Sequence, residues 1–565
     1  MNLSSATLLP RFALLTLALG VPTVADAQQA VSPITITVDA AKSLGPMSTT
    51  WSYFGYDEPN FTYSPNGKKL LQELSELSPV PVYIRTHNLF TSGDGTGSLK
   101  WGSTNVYTED PQGRPIYDWT IVDRIFDAYR DSGVRPLVEL GFTPEALTTG
   151  PPPYRHTWPK TFDTGWSYPP ENYAKWGELV FRFAQHLQQR YGDAAVNTWL
   201  WEVWNEPDIF YWHAAPEEYF RLYDVSADAV RRALPVAKMG GPDSTGPGSE
   251  KAKSFLRTFL EHCARGKNFA TGKTGAPLDF ISFHPKGSPE WVDGHVRMGM
   301  AQQLKAIETG FKIVASYPEW HDTPIILGES DPEGCAACSA KDHPQNAYRN
   351  GPLYAAYTVV ADNAALALAT QNHANLQGIV TWAFQFDGQP YFEGLRELAT
   401  NGIDKPVLNA FRMLGLLGVS RLEVHSPCAI SADEIIQSGV RNAPDIDAIA
   451  TRYKREIAIL VVNYHDDDRS VPDAQIDLLV QNLPVTARHL QVEQFRLDAT
   501  HSNSFTFWKS LGSPQQPTAE QYLLLESAGQ LELFTSPQWV GASERTLRLH
   551  LTQPRASLSL LRLSW

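Results

Sequence analysis

The sequence predicts an α/β protein: a (β/α)8 barrel of the TIM type followed by an accessory β-sandwich domain. Three observations point there. Short apolar runs alternate with amphipathic stretches from residue 51 to residue 384. Two of those runs stop abruptly at a glutamate, Glu206 and Glu329. Beyond residue 416 the helical pattern fades into strands. A doubly wound sheet is the competing arrangement, but no glycine-rich nucleotide loop follows the first strand.

The chain is long enough, at 565 residues, for more than one domain and a substantial core. With 42% hydrophobic and 19% charged residues it reads as globular. A net charge of −14 argues against nucleic acid or an anionic membrane as partner. The 16 tryptophans exceed what a core usually asks for, and rings that stack on sugar faces would account for part of the surplus.

Residues 1–27 read as an export signal. Arg11 precedes an apolar run at 12–25, and Ala25-Asp26-Ala27 supplies a small-residue cleavage site before Gln28. That run is too short to span a bilayer comfortably. A secreted or periplasmic protein, free of the membrane after cleavage, is the expectation. Of the four cysteines, Cys335 and Cys338 are close enough in sequence to close a small disulfide loop in an oxidising compartment. Free thiols are the alternative, and a structural zinc site lacks paired histidine spacing.

The elements follow in order. A strand at 34–38, within an N-terminal segment 28–44, is expected to join the β-domain. The barrel is assigned to 45–415, with strands at 51–55, 82–86, 136–142, 198–204, 237–241, 279–284, 324–329 and 378–384. Amphipathic helices include 119–132, stopped by Gly133, and 171–190. Insertions at 89–117 and 148–170 follow strands and are expected to shape a pocket at the C-terminal face. The β-sandwich is assigned to 416–565, with strands at 457–463, 490–497, 531–533 and 547–551. One helix interrupts it: Thr518 and Gln521 form its capping box and Gly529 ends it. Asp466-Asp467-Asp468 reads as a solvated turn after a strand.

The chemistry gathers at strand ends. Glu206 closes the fourth strand at Asn205-Glu206-Pro207, where the proline ends the ladder. An acid at the mouth of an apolar strand is costly without a task or a partner. Glu329 closes the seventh strand, so in a closed barrel both carboxylates face one crater. Two carboxylates flanking a glycosidic bond are what hydrolysis of an acetal needs, one protonated and one ionised. Arg85 and His87 end the second strand, and the arginine would favour the ionised form of Glu329 or pair with a barrel acid such as Glu202. His284 and Lys286 end the sixth strand. Trp382, in the eighth, is either a platform for a sugar or barrel packing. No metal cluster or nucleotide motif is present, so neither metal nor cofactor is expected.

The sequence resembles glycoside hydrolase family 39, the family of β-xylosidases and α-L-iduronidases. The stretches that carry the resemblance are YFGYDEPN (53–60), YIRTHNLFTSGDG (83–95), PLVELGFTPEAL (136–147), WEVWNEPD (201–208), DFISFHPKG (279–287), PIILGESDPEG (324–334) and HSNSFTFWKSLGSPQQPT (501–518). The resemblance implies a retaining mechanism through a covalent glycosyl-enzyme, with Glu206 as general acid/base and Glu329 as nucleophile. Asn205 would bond the hydroxyl beside the anomeric carbon, and His87 and His284 would line the pocket for the terminal sugar. Arg85, Lys286 and Trp382 complete the expected substrate-binding set. Lys286 matches the iduronidase pattern, where a lysine neutralises a substrate carboxylate, with Arg396 a candidate second cation. The expectation is therefore an exported, exo-acting retaining glycosidase on an oligosaccharide or glycoside, a β-xylosidase first. A uronidase or arabinosidase on the same barrel is second, and a non-catalytic carbohydrate-binding protein a remote third.

Overall fold

The computed structural model describes residues 33–155, 158 and 164–565. The export signal expected at residues 1–27 lies outside the described residues. Eight parallel strands close into a barrel: Tyr53–Tyr56, Tyr83–Thr86, Arg135–Leu140, Leu200–Val203, Lys238–Thr245, Phe280–His284, Ile325–Leu327 and Leu376–Thr381. Closure runs through Val380 beside Tyr53 and Thr381 beside Phe54. Each strand overlaps the apolar run expected for it, because a strand buried on both faces is apolar apart from charges that find buried partners. The fifth is bulged between Pro242 and Ser244, which turns Asp243 inward.

The helices pack outside this cylinder. Thr120–Ser132 buries Val122, Ile125, Phe126 and Tyr129, and ends at Gly133, whose φ of 74° suits a residue without a Cβ. Tyr173–Tyr191 starts where the Asn172 side chain accepts from the backbone of Ala174 and Lys175. The helix Pro352–Gln371 is buried on nearly every side. Its sequence, rich in Ala, Val and Leu all round, fits its place between the barrel and the second domain.

The second domain is one hydrogen-bonded sheet of nine strands. Its order is Leu533–Gly541, His489–Leu497, Ser557–Ser564, Glu456–Tyr464, Asp445–Tyr453, Ser420–His425, Ile34–Pro46, Ala474–Gln481 and Leu547–Gln553. Ile34–Pro46 runs antiparallel to Ser420–His425 and parallel to Ala474–Gln481, with bulges between Asp39 and Gly45. Alternation sorts the side chains. Ile36, Val38, Ile457, Ile459, Ile476 and Leu478 enclose the domain's own core, while Ala458, Leu460, Val462, Leu558 and Leu560 face the barrel's.

Two expectations need correction here. Three helices, not one, interrupt the strands: Ala432–Ser438, Ser504–Ser510 and Ala519–Ala528, the last with the expected capping box. The aspartate run at 466–468 is not a solvated turn. Asp467 accepts from His295 Nε2 at 3.0 Å and Arg297 Nε at 2.6 Å. Both belong to a short barrel hairpin, Glu290–Val292 and His295–Arg297. The Asp466 carboxylate takes the Val440 amide and the Tyr464 hydroxyl, and its carbonyl takes the Met298 amide. Acids that look solvated in sequence thus clasp two domains. Asp467→Ala should lower the unfolding free energy by about 1–2 kcal/mol in urea denaturation, as loss of charged hydrogen bonds does. Asp468→Ala, at an exposed side chain, should change it by less than about 0.5 kcal/mol.

Candidate active site

The chain after the fourth strand turns sharply. Trp204 and Glu206 both have positive φ, 73° and 44°, a region that side chains with a Cβ rarely enter. The turn is held from three sides. The Trp204 amide donates to Leu140 O at 3.2 Å, its indole to Tyr211 O at 2.9 Å, and the Glu206 amide to Asp243 O at 2.8 Å. This aims the Glu206 carboxylate into the crater. The seventh strand delivers Glu329 after Gly328, where a Cβ would fall 2.2 Å from Asp243 Oδ1 and 2.8 Å from His284 Nε2. Only a residue without a side chain lets the acid approach those groups.

Beneath the crater lies Arg85, with no exposed surface. Its guanidinium meets Glu139 at 2.9 Å, Asp243 at 2.8 Å, Glu329 at 3.3 Å and also Glu202. It donates to Asn205 Oδ1 at 3.2 Å and lies 3.1 Å from His87 Nε2. Four buried carboxylates around one cation cannot all be ionised. Burial raises Glu139 to about 7 despite His87 and Arg85, and burial likewise pushes Glu202 well above the carboxylate range. Glu202 stays protonated and hydrogen-bonds Asp243, which Arg85, Glu202 and His284 hold ionised against burial.

The two crater acids have different surroundings. Burial opposes ionisation of Glu329, but Lys286, His284, Arg85 and His87 outweigh it and hold the carboxylate well below its usual range. Lys286 Nζ donates to Glu329 Oε2 at 2.6 Å and to Asp331 Oδ2 at 2.8 Å. Among the described residues, Glu206 meets His284 Nδ1 at 3.0 Å. The other nitrogen of that imidazole reaches Asp243 Oδ1 at 3.0 Å, and Glu329 Oε1 lies 3.8 Å from Nδ1. Burial disfavours the imidazolium, yet Glu329 and Asp243 raise His284 to about 9.

Ligand atoms of Glu206, His284 and Glu329 all lie within 4.8 Å of one another. A histidine that is protonated and donates through both nitrogens has no lone pair for a metal, so the trio fits acid–base work better than metal binding.

A cavity of about 440 Å³ opens above these groups, lined among others by Glu206, His284 and Lys286. The Glu206, Glu329 and Lys286 side chains are 13%, 8% and 15% exposed. His87, Asn205 and Trp382 are brought to the same place but are buried. Arg85 and Trp382, expected to touch substrate, serve it from below. The indole of Trp382 lies 4.2 Å from the His87 ring and donates to Asp57 Oδ2 at 3.2 Å, so packing is its observed role. Arg396 is no second cation for a substrate carboxylate: it is buried against Glu333 at 2.7 Å and Asp331 at 3.5 Å. Cys335 and Cys338 form a disulfide, and Cys335 lines the cavity.

Sequence reasoning missed Asp57, Glu139, Asp243 and Asp331, which orient the groups it did find. Glu139 and Glu202 carried a signal, each being an acid inside an apolar strand. Lys100 and Tyr211, which line the cavity, carried none. The insertions do shape the pocket, through Lys100 from the first and Trp158 from the second.

The raised value of His284 has a stability consequence. A group whose folded value is raised contributes fully below its unfolded value of 6.5, and the contribution fades as pH rises through about 9. His284→Gln should therefore lose on the order of 3 kcal/mol below pH 6.5. Denaturant titrations at several pH values should show that deficit shrinking on the alkaline side.

Comparison with known proteins agrees with this architecture. Residues 34–533 match the profile of glycosyl hydrolases family 39. A β-xylosidase of Caldicellulosiruptor saccharolyticus is 26% identical over 516 residues, 88% of this chain and 92% of its own length. Human α-L-iduronidase is 28% identical over 553 residues, 92% of this chain and 77% of its own. The crystal structure of the GH39 enzyme from Xanthomonas axonopodis pv. citri superposes with a TM-score of 0.72 at 20% identity, covering 96% of this chain and 99% of that one, and so shares the fold. The chain belongs to glycosyl hydrolases family 39 and is a glycoside hydrolase.

Proposed function

We propose that this glycosidase is an exported, exo-acting enzyme that removes terminal β-xylose from short plant cell-wall oligosaccharides with retention of configuration. One observation carries the mechanism: Glu206 and Glu329 present oxygens within 4.8 Å of each other, both beside His284 Nδ1. That fits the spacing of roughly 5–5.5 Å used in double displacement, not the roughly 6.5–9.5 Å that inversion needs to admit water.

Glu329 is the nucleophile. Held by one hydrogen bond from Lys286 and faced by Arg85, it stays ionised and ready to attack the anomeric carbon. Glu206, at the mouth of the crater, gives its proton to the leaving oxygen, then takes one from the water that releases the sugar. In the first step the bond from anomeric carbon to leaving oxygen breaks as the bond to Glu329 forms. In the second, water replaces Glu329. Asn205 commits its carbonyl to Arg85 and keeps its amide N–H groups for the sugar hydroxyl beside the anomeric carbon. Export is supported by the signal-like N-terminus and by the Cys335–Cys338 disulfide, which suits an oxidising compartment.

A uronidase is the second reading, favoured by Lys286 in the cavity wall and by the iduronidase relative. Against it, Lys286 is already engaged by Glu329 and Asp331, and the xylosidase is matched over more of its length. Aryl xyloside, arabinosides and uronide assayed side by side separate the two. The xyloside should have the highest kcat/KM, and a faster uronide would transfer the assignment.

Two variants test the roles. Glu329→Gly should lose hydrolysis by ~10⁴-fold or more and regain turnover of an activated glycoside with added azide. A folded variant without rescue would remove Glu329 from the nucleophile's role. Lys286→Met takes away the nearest cation that depresses Glu329, so the acid limb of kcat/KM should move to higher pH. An unmoved limb would mean that Lys286 does not set the charge of Glu329.

A further inference from the structure

Lys100 stands at the edge of the crater with no carboxylate at ion-pair distance among the described residues. It comes from the insertion between the second and third barrel strands and lines the same cavity as Glu206 and His284. Its backbone is in the left-handed region, φ 57°, and its amide is tied to the Glu58 carboxylate. A strained, non-glycine residue held in place by a buried acid is a fixed feature of the fold. Its ammonium sits 4.9 Å from the Trp158 ring and 5.9 Å from the Tyr211 ring, and beside the Tyr211 hydroxyl.

Lys286, the other lysine lining the cavity, meets Glu329 and Asp331. Among the described residues no carboxylate oxygen comes within 4.0 Å of Lys100 Nζ, although Asp57 and Glu329 act on it from farther off. An ammonium has three donors; one meets the Tyr211 hydroxyl, and ring faces 4.9 and 5.9 Å away attract the charge without accepting the other two. Those donors have the cavity to turn to. Because Asp57 and Glu329 already supply negative charge, a neutral oxygen suits the place better than another anion.

We propose that Lys100 is a substrate-binding residue that donates hydrogen bonds to a hydroxyl of the terminal sugar, and so sets which terminal sugar the crater accepts. This rests on the glycosidase reading above and adds to it a specificity determinant outside the residues expected from sequence.

The test is a panel of monodeoxy aryl glycosides, one per hydroxyl of the sugar that the protein binds most tightly, on wild type and Lys100→Met. Calorimetric Kd values for the corresponding free sugars are measured beside kcat/KM, so the comparison stands even if wild type turns over none of them. Such a lack of turnover would count against the proposed function, not against Lys100. Wild type should lose about 10- to 100-fold at the contacted hydroxyl, the worth of a charged hydrogen bond. In the variant that one position should cease to matter while the others keep their cost. If every deoxy position costs the variant what it costs wild type, the lysine is structural and the proposal fails. Should Lys100→Met not fold, Lys100→Gln on the same panel decides between the same two outcomes.

Discussion

The guanidinium of Arg85 is the interaction on which the catalytic end of the barrel depends. It stands on the second strand and touches Glu139 of the third, Glu202 of the fourth, Asp243 of the fifth and Glu329 after the seventh. One side chain thus ties together five of the eight staves. A buried cation so placed contributes little net stability when paired, but removing it would leave several carboxylates uncompensated in a dry interior. The barrel therefore cannot lose Arg85 without disturbing the site, and the site is as rigid as the barrel that holds it.

From that hub the charges divide. Burial raises the innermost acids, Glu139 to about 7 and Glu202 well above the carboxylate range. Asp243 and Glu329 lose their protons because cations face them from more than one side. His284 couples the two halves, with one nitrogen on Asp243 and the other on Glu206. The two crater glutamates thus sit in different environments: Glu329 among cations, Glu206 beside His284 at the mouth of the cavity.

Much of this was legible in the sequence, for physical reasons that can be named. A strand buried on both faces is apolar apart from charges that find buried partners, so LWEV and IIL announce themselves, and the glutamates that follow them stand out. The β-domain was read less well. Its strands Asp445–Tyr453 and Ala474–Gln481 mix polar and apolar residues, and Ser504–Ser510 is too short for a helical period to register. Asp467 illustrates the general difficulty. Its partners His295 and Arg297 lie far away in sequence, so an interdomain clasp looks like a solvated turn. Lys100 is hidden for the same reason: nothing near it in the chain reveals the Tyr211 and Trp158 rings that surround its ammonium.

The central claim is that Glu329 forms a covalent bond to the sugar. The most direct measurement uses an activated 2-deoxy-2-fluoro glycoside of a sugar that the enzyme hydrolyses, followed by peptide mass spectrometry of the inactivated protein. The fluorine slows both steps, but the good leaving group lets the first proceed, so the intermediate accumulates. The account predicts one fluoroglycosyl group per chain, esterified to Glu329. A label on Glu206 instead, or full retention of activity with no label, would contradict it.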